Sequence, residues 1–204
     1  MGIKERKEKE KKDMRELILD AARALFLERG LAQATIRNIA LAIQYSPRTI
    51  YLYFPNKDAL LHALREEGFQ KLYHKQVETQ WIPDSLDRLK AQGIAYVMFA
   101  LRNPEFYRLM FNVPVPHSQG AVPAPGTDYG QESYLSLQNN IKECMEKDVI
   151  PAGDLQVATL TVWATVHGVS TLVGRQALPG LPEEEQKRCA RRSVLYLAQL
   201  LHKK

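Results

Sequence analysis

Apolar residues in this chain recur with the period of a helix almost from end to end. Met14, Leu17, Ile18, Ala21, Ala22, Leu25 and Phe26 fall at i, i+3, i+4, i+7, i+8, i+11 and i+12. That is one unbroken stripe on a 3.6-residue repeat. A half-buried strand needs strict alternation, and no convincing run of it occurs, nor does an internal repeat. The expected fold class is all-α. At 204 residues the chain is one domain or two small ones, long enough to bury a real core.

Punctuation divides the stripe into elements. Gly30 stands where the first helix should stop. Thr35 is a good N-cap for a second helix with Ile36, Ile39, Ala40 and Ile43 facing inward. Ser46 and Pro47 open a short third helix as N-cap and first helical residue, and Pro55-Asn56 ends it. A fourth begins near Lys57 and reaches about Gln80, before Pro83. Residues 85–101 place Leu86, Leu89, Gly93, Ile94, Val97 and Leu101 on one face, and 104–111 form a short aromatic-rich helix. The Pro- and Gly-dense stretch 112–130 reads as a long loop, either a lid or a connector. Helices follow at 131–147, 154–177 and 183–202, the last opened by three glutamates that suit the positive end of the helix dipole.

Charge is unevenly spread. Residues 1–66 carry 13 basic and 9 acidic side chains, whereas 67–204 carry 15 and 14. The excess lies in the first third, as it would in a chain that turns one end to nucleic acid. Six of those cations stand in the first twelve residues, against three acids. Such a run is either a solvated helix extension or a further phosphate contact. No stretch of 18 apolar residues exists, so no membrane span is expected. The opening MGIKERKEKEKKDM lacks the apolar core of a secretory signal. Cys144 and Cys189 are too few and too far apart for a disulfide framework or a zinc cluster. They read as buried small apolar side chains in a reducing cytoplasm. No metal spacing, phosphate loop or nucleophile–base pair is found, so neither an enzyme nor a cofactor is expected.

The densest signal is TIRNIALAIQYSPRTIYLYFPNK, residues 35–57. It reads as helix, tight turn, helix, the second rich in hydroxyl, guanidinium and phenol groups that reach base edges and phosphates. Arg48, Thr49 and Ser46, with Pro47, are the expected groove contacts. Thr35 opens the supporting helix, and Arg37 on its exposed side is either a phosphate contact or a solvated charge. Tyr51 and Tyr53 can set their hydroxyls on phosphate oxygens. Lys57 can share one anion with the free N–H groups that open the next helix.

These residues resemble the DNA-binding domain of the TetR family of bacterial transcriptional regulators. The resemblance spans about Met14 to Leu61 and rests on Phe26, Gly30, Thr35, Ile39-Ala40, Tyr51, Phe54, Lys57 and Asp58-Ala59-Leu60-Leu61. Gln44 stands where the family commonly has glycine; at positive φ it would cost about 1 kcal/mol. Tyr45 replaces a small apolar residue, and Pro47-Arg48 fill places often held by small or basic ones. Trp163, His167 and Gly168 resemble the Trp-x-x-x-His-Gly helix of one subgroup of the family's C-terminal domains.

The resemblance implies a helix-turn-helix domain at 1–58 and a helical ligand-binding and dimerisation domain at 59–204. It implies a homodimer that binds double-stranded DNA at a palindromic operator, acts as a repressor, and is released by a small apolar or amphipathic molecule. An architectural or protein-regulated DNA-binding protein without such an effector is the alternative. Candidate pocket residues are Phe99, Arg102, Phe106, Tyr107, Met110, Phe111, Trp163 and His167. Trp163 and His167, one turn apart, read either as pocket wall and polar handle or as core with the histidine hydrogen-bonded across helices. The last two helices imply a four-helix interface through Leu155, Val162, Val166, Val173, Val194, Leu197 and Leu201.

Overall fold

The computed structural model describes residues 2–111, 128–178 and 180–203, all of whose regular structure is helical. The expected lid or connector at 112–130 lies outside the described residues up to 127. The helices are α1 (Ile3–Arg29), α2 (Ile36–Ala42), α3 (Pro47–Tyr51), α4 (Lys57–Val77), α5 (Ser85–Arg102), α6 (Pro104–Phe111), α7 (Tyr129–Glu146), α8 (Leu155–Gly174) and α9 (Glu183–Leu201). Side-chain caps start α5, α7 and α8: Asp84, Asp128 and Asp154 each accept from a backbone N–H of the first turn. α1 continues through the basic run to Ile3, where the Glu5 carboxylate accepts from the Gly2 N–H at 2.8 Å.

The chain forms two compact units, and the division falls at Glu67/Gly68, inside α4. The first unit also takes in α6 from Arg108 onward. Its core joins Ile18, Ala22, Leu25 and Phe26 of α1 to Ile36, Ile39 and Ala40 of α2. Ile50, Phe54, Leu60, Leu64 and Leu109 complete it. Arg23 of α1 reaches α4, its Nε donating to Glu67 at 2.9 Å.

In the second unit α5 packs on α7, α8 and α9, and α8 packs on α7 and α9. Leu86, Leu89, Leu137, Ile141, Cys144, Ile150, Val162 and Ala198 form a buried cluster there. Burial pushes the Cys144 thiol pKa up, and Cys189 is half-buried. Gly93 marks the closest crossing. A Cβ built on it would stand 2.7 Å from Val194 Cγ1 and 3.7 Å from Val166 Cγ1. Gly93→Ala is therefore expected to destabilise the second unit by about 1–3 kcal/mol through overpacking, read as a lower urea midpoint.

That crossing involves residues expected at the dimer face. Val162, Val166, Val173 and Val194 are buried inside their own subunit's bundle. Leu155, Leu197 and Leu201 are half-buried against the same core. α8 is apolar on two sides, and the sequence stripe followed the inward one. The other side exposes Val157, Leu160, Ala164 and Leu172, and the neighbouring α9 exposes Tyr196 and Leu200. By length and composition α8 is also the one helix among the described residues that could cross a membrane, which the sequence reading did not expect. Only 28% of its apolar window is buried.

Candidate nucleic-acid interface

The helix-turn-helix is built by local bonds. Thr35 Oγ1 accepts from the Asn38 N–H at 3.1 Å and starts α2. Asn38 Nδ2 donates to the Gln33 carbonyl at 2.9 Å, tying α2 back to the preceding turn. Beyond α2, Gln44 turns the chain at φ 59°. The Tyr45 N–H then donates to the Ala40 carbonyl at 2.9 Å. Ser46 Oγ accepts from the Thr49 N–H at 3.2 Å, and Pro47 occupies the first turn of α3. The glutamine thus sits in the left-handed region that favours glycine. Gln44→Gly is expected to raise the stability of this unit by up to about 1 kcal/mol, read by chemical denaturation, because the strain of a Cβ at positive φ disappears.

α3 is held by its inner side and offers its outer one. Ile50 and Phe54 are buried. Arg48, Tyr51 and Leu52 lie at i, i+3 and i+4 and are exposed together. Ser46 and Pro47 are exposed at its start. Thr49 is half-buried, and its hydroxyl is 3.1 Å from that of Ser46. Arg37 is exposed on α2, and the Tyr53 ring packs on the core.

Lys57 has a partner within the protein. Its ammonium donates to the Leu31 carbonyl at 3.3 Å, strapping the start of α4 to the turn after α1. Asn56 Oδ1 accepts from the Ala59 N–H at 2.8 Å, so one N–H expected to share an anion with Lys57 is already satisfied. An ammonium has three donors, so the Leu31 contact leaves two. Arg15, which the sequence reading passed over, and lysines of the basic run also line this region. The Arg15 guanidinium lies 4.7 Å from the centre of the Phe54 ring, and an open groove is lined by Lys7, Glu10, Lys11, Leu52 and Tyr53. The periodicity of α1 could have found them, since Lys7, Lys11 and Arg15 continue its apolar stripe.

The expected pocket residues fall in both units. Phe99, Phe106 and Tyr107 are buried in the second unit, whereas Met110 and Phe111 belong to the first. Arg102 is exposed in the last turn of α5, at the negative end of the helix dipole. Tyr96, which sequence reasoning missed although it lies one turn before Phe99, is buried. The Tyr96 and Tyr107 hydroxyls lie 3.0 and 2.8 Å from His167 Nδ1, and Trp163 Nε1 donates to the Tyr96 oxygen at 3.3 Å. With its oxygen accepting from Trp163, Tyr96 can give its own proton to Nδ1, which leaves the imidazole proton on Nε2.

Burial lowers the His167 pKa and raises those of both tyrosines. A histidine held neutral contributes stability above its unfolded pKa, near 6.5, and loses it as pH falls toward the folded value. The fall in Tm between pH 7.5 and 5.5 is accordingly expected to be smaller in His167→Asn than in the wild type.

Known proteins agree with this geometry. Residues 18–64 match the family described as bacterial regulatory proteins, tetR family, and residues 89–197 match the tetracyclin repressor-like C-terminal domain. The HTH-type transcriptional repressor SCO4008 of Streptomyces coelicolor is 29% identical over 156 residues, 73% of this chain and 77% of that protein. The HTH-type transcriptional repressor Rv1474c of Mycobacterium tuberculosis is 41% identical over 58 residues, 28% of this chain and 31% of that protein. In fold, the chain is similar to a TetR-family transcriptional regulator from Pectobacterium atrosepticum, with a TM-score of 0.72 and 19% identity over 96% of this chain and 97% of the other. Two family matches that together take in both the helix-turn-helix and most of the C-terminal bundle leave one conclusion: this chain belongs to the TetR family of bacterial transcriptional regulators, and it is not an enzyme.

Proposed function

We propose that the protein is a cytoplasmic repressor that binds an inverted-repeat operator as a homodimer and is released by a small apolar or amphipathic molecule. Residues 1–58 read DNA, and residues 59–204 bind effector and partner subunit. The observation that carries this reading is α3, whose buried Ile50 and Phe54 hold Arg48, Tyr51 and Leu52 outward as one face. Ser46, Pro47, Arg48 and Thr49 approach the major groove. Tyr51, Tyr53, Arg37 and the free donors of Lys57 bind phosphates, and Thr35 fixes the supporting helix. Repression follows the two relatives named as repressors.

The second copy covers the exposed apolar side of α8 and α9. Gly168 lies in the middle of that side, and a Cβ there would meet nothing within 4 Å, which leaves room for a neighbouring backbone. The effector enters beside Phe99, Phe106, Tyr107, Trp163 and His167, where the neutral imidazole and two phenols form the polar end of an apolar interior. It acts by binding better to a dimer whose two α3 helices no longer match one turn of B-DNA, roughly 34–36 Å apart.

The test is selection of bound duplexes from a randomised pool by the full-length protein at near-physiological salt. An enriched inverted repeat is the expected result, and that duplex then reports release by candidate effectors. Salt-sensitive binding with no enriched sequence would point instead to an architectural DNA-binding protein.

A further inference from the structure

We infer that the first three turns of α1 form a second DNA-binding element, in which Lys4, Lys7 and Lys11 bind backbone phosphates beside the helix-turn-helix. The inference rests on the DNA-binding reading and adds a surface to it. These lysines stand at i, i+3 and i+7, and Arg15 continues them at i+11. On a helix that is one row. The same row goes on to Ile18, Ala22 and Phe26, which bury against α2, α3 and α4. The face of α1 that packs on the helix-turn-helix is thus cationic where it runs past the core.

Among the described residues, none buries that part of the face. Residues 4–13 are all exposed, and among the described residues none of Lys4, Lys7 and Lys11 is in an ion pair. Lys7 and Lys11 line an open groove with Leu52 and Tyr53, the residues that close α3. The acids nearby leave the row positive. Glu10 lines the same groove but pairs with Arg6 at 3.3 Å, and Glu5 caps the helix start. Glu8 alone lies at the edge of the row. Like charges one turn apart destabilise a lone helix, and a polyanion laid along the row removes that repulsion. From Lys4 to Lys11 the helix rises roughly 10 Å, about three base-pair steps of a DNA strand. Charge complementarity and the adjoining α3 make duplex DNA the occupant.

Two triple variants of the full-length protein test this by fluorescence anisotropy on a duplex of arbitrary sequence, from 50 to 200 mM salt. Lys4→Gln/Lys7→Gln/Lys11→Gln removes the row. Arg6→Gln/Lys9→Gln/Lys12→Gln removes equal charge from the other faces of the same turns. Glutamine keeps helix propensity close to that of lysine and arginine, and far-UV circular dichroism checks it. The row variant is expected to lower the slope of log K against log salt by about 0.9 per lost contact, or 2 to 3 per protomer, with the control near wild type. Equal slopes in wild type and row variant, or equal losses in both variants, would overturn the inference. A wild-type protein that binds no duplex would instead overturn the DNA-binding reading itself.

Discussion

Leu160→Glu combined with Tyr196→Glu is expected to convert the proposed dimer to monomers. Both side chains are exposed in the subunit, 57% and 61%, so neither substitution removes a core contact. They stand on the apolar side of α8 and α9, where Val157 and Leu172 are also exposed and Leu200 is 65% exposed. In a two-fold dimer each substitution occurs twice across the interface. A carboxylate buried there without a partner costs about 3–5 kcal/mol, which weakens the dimer by two to three orders of magnitude or more. Sedimentation velocity at micromolar concentration reads the change directly. A variant that remains dimeric, with an unaltered circular dichroism spectrum, would place the interface elsewhere.

Ile50→Ala should weaken the first unit by about 2–5 kcal/mol, since its fully buried side chain joins α3 to α1, α2 and α4. Hydrogen exchange followed by peptide is the suitable measurement, because one melting temperature merges two units. Peptides covering residues 36–54 are expected to lose protection by that amount. Those within α8 should keep theirs, since α8 belongs to the other unit. DNA binding should fall with the lost protection, as the outward face of α3 is held in place by the burial of Ile50 and Phe54 behind it. Equal losses in both sets of peptides would mean that the two units unfold as one.

Much of the first unit was legible because its determinants are close in sequence. Thr35 bonds three residues on, as does Ser46, and the strained turn at Gln44 lies where glycine was missed. Caps and turns of this kind depend on neighbours within four residues, which a sequence displays directly. Lys57 was less legible, because its partner is a backbone carbonyl 26 positions away. The burial of Tyr96 rather than Arg102 was hidden for a related reason. Both fit the edge of an amphipathic pattern, and the rotation of α5 against α8 and α9 decides which of them is enclosed.

By itself the sequence determined the order of the helices, the helix-turn-helix with its capping residues, and the cationic bias of the first third. Each follows from local bonding or from a period that a single helix carries. Only the tertiary structure decided which apolar side of α8 turns inward. Val162 and Val166 alternate around that helix with Val157 and Leu160, and composition does not tell the two sides apart. The choice is made by packing between distant segments, where Gly93 lets α5 approach Val166 and Val194 and so leaves Leu160 and Tyr196 outside.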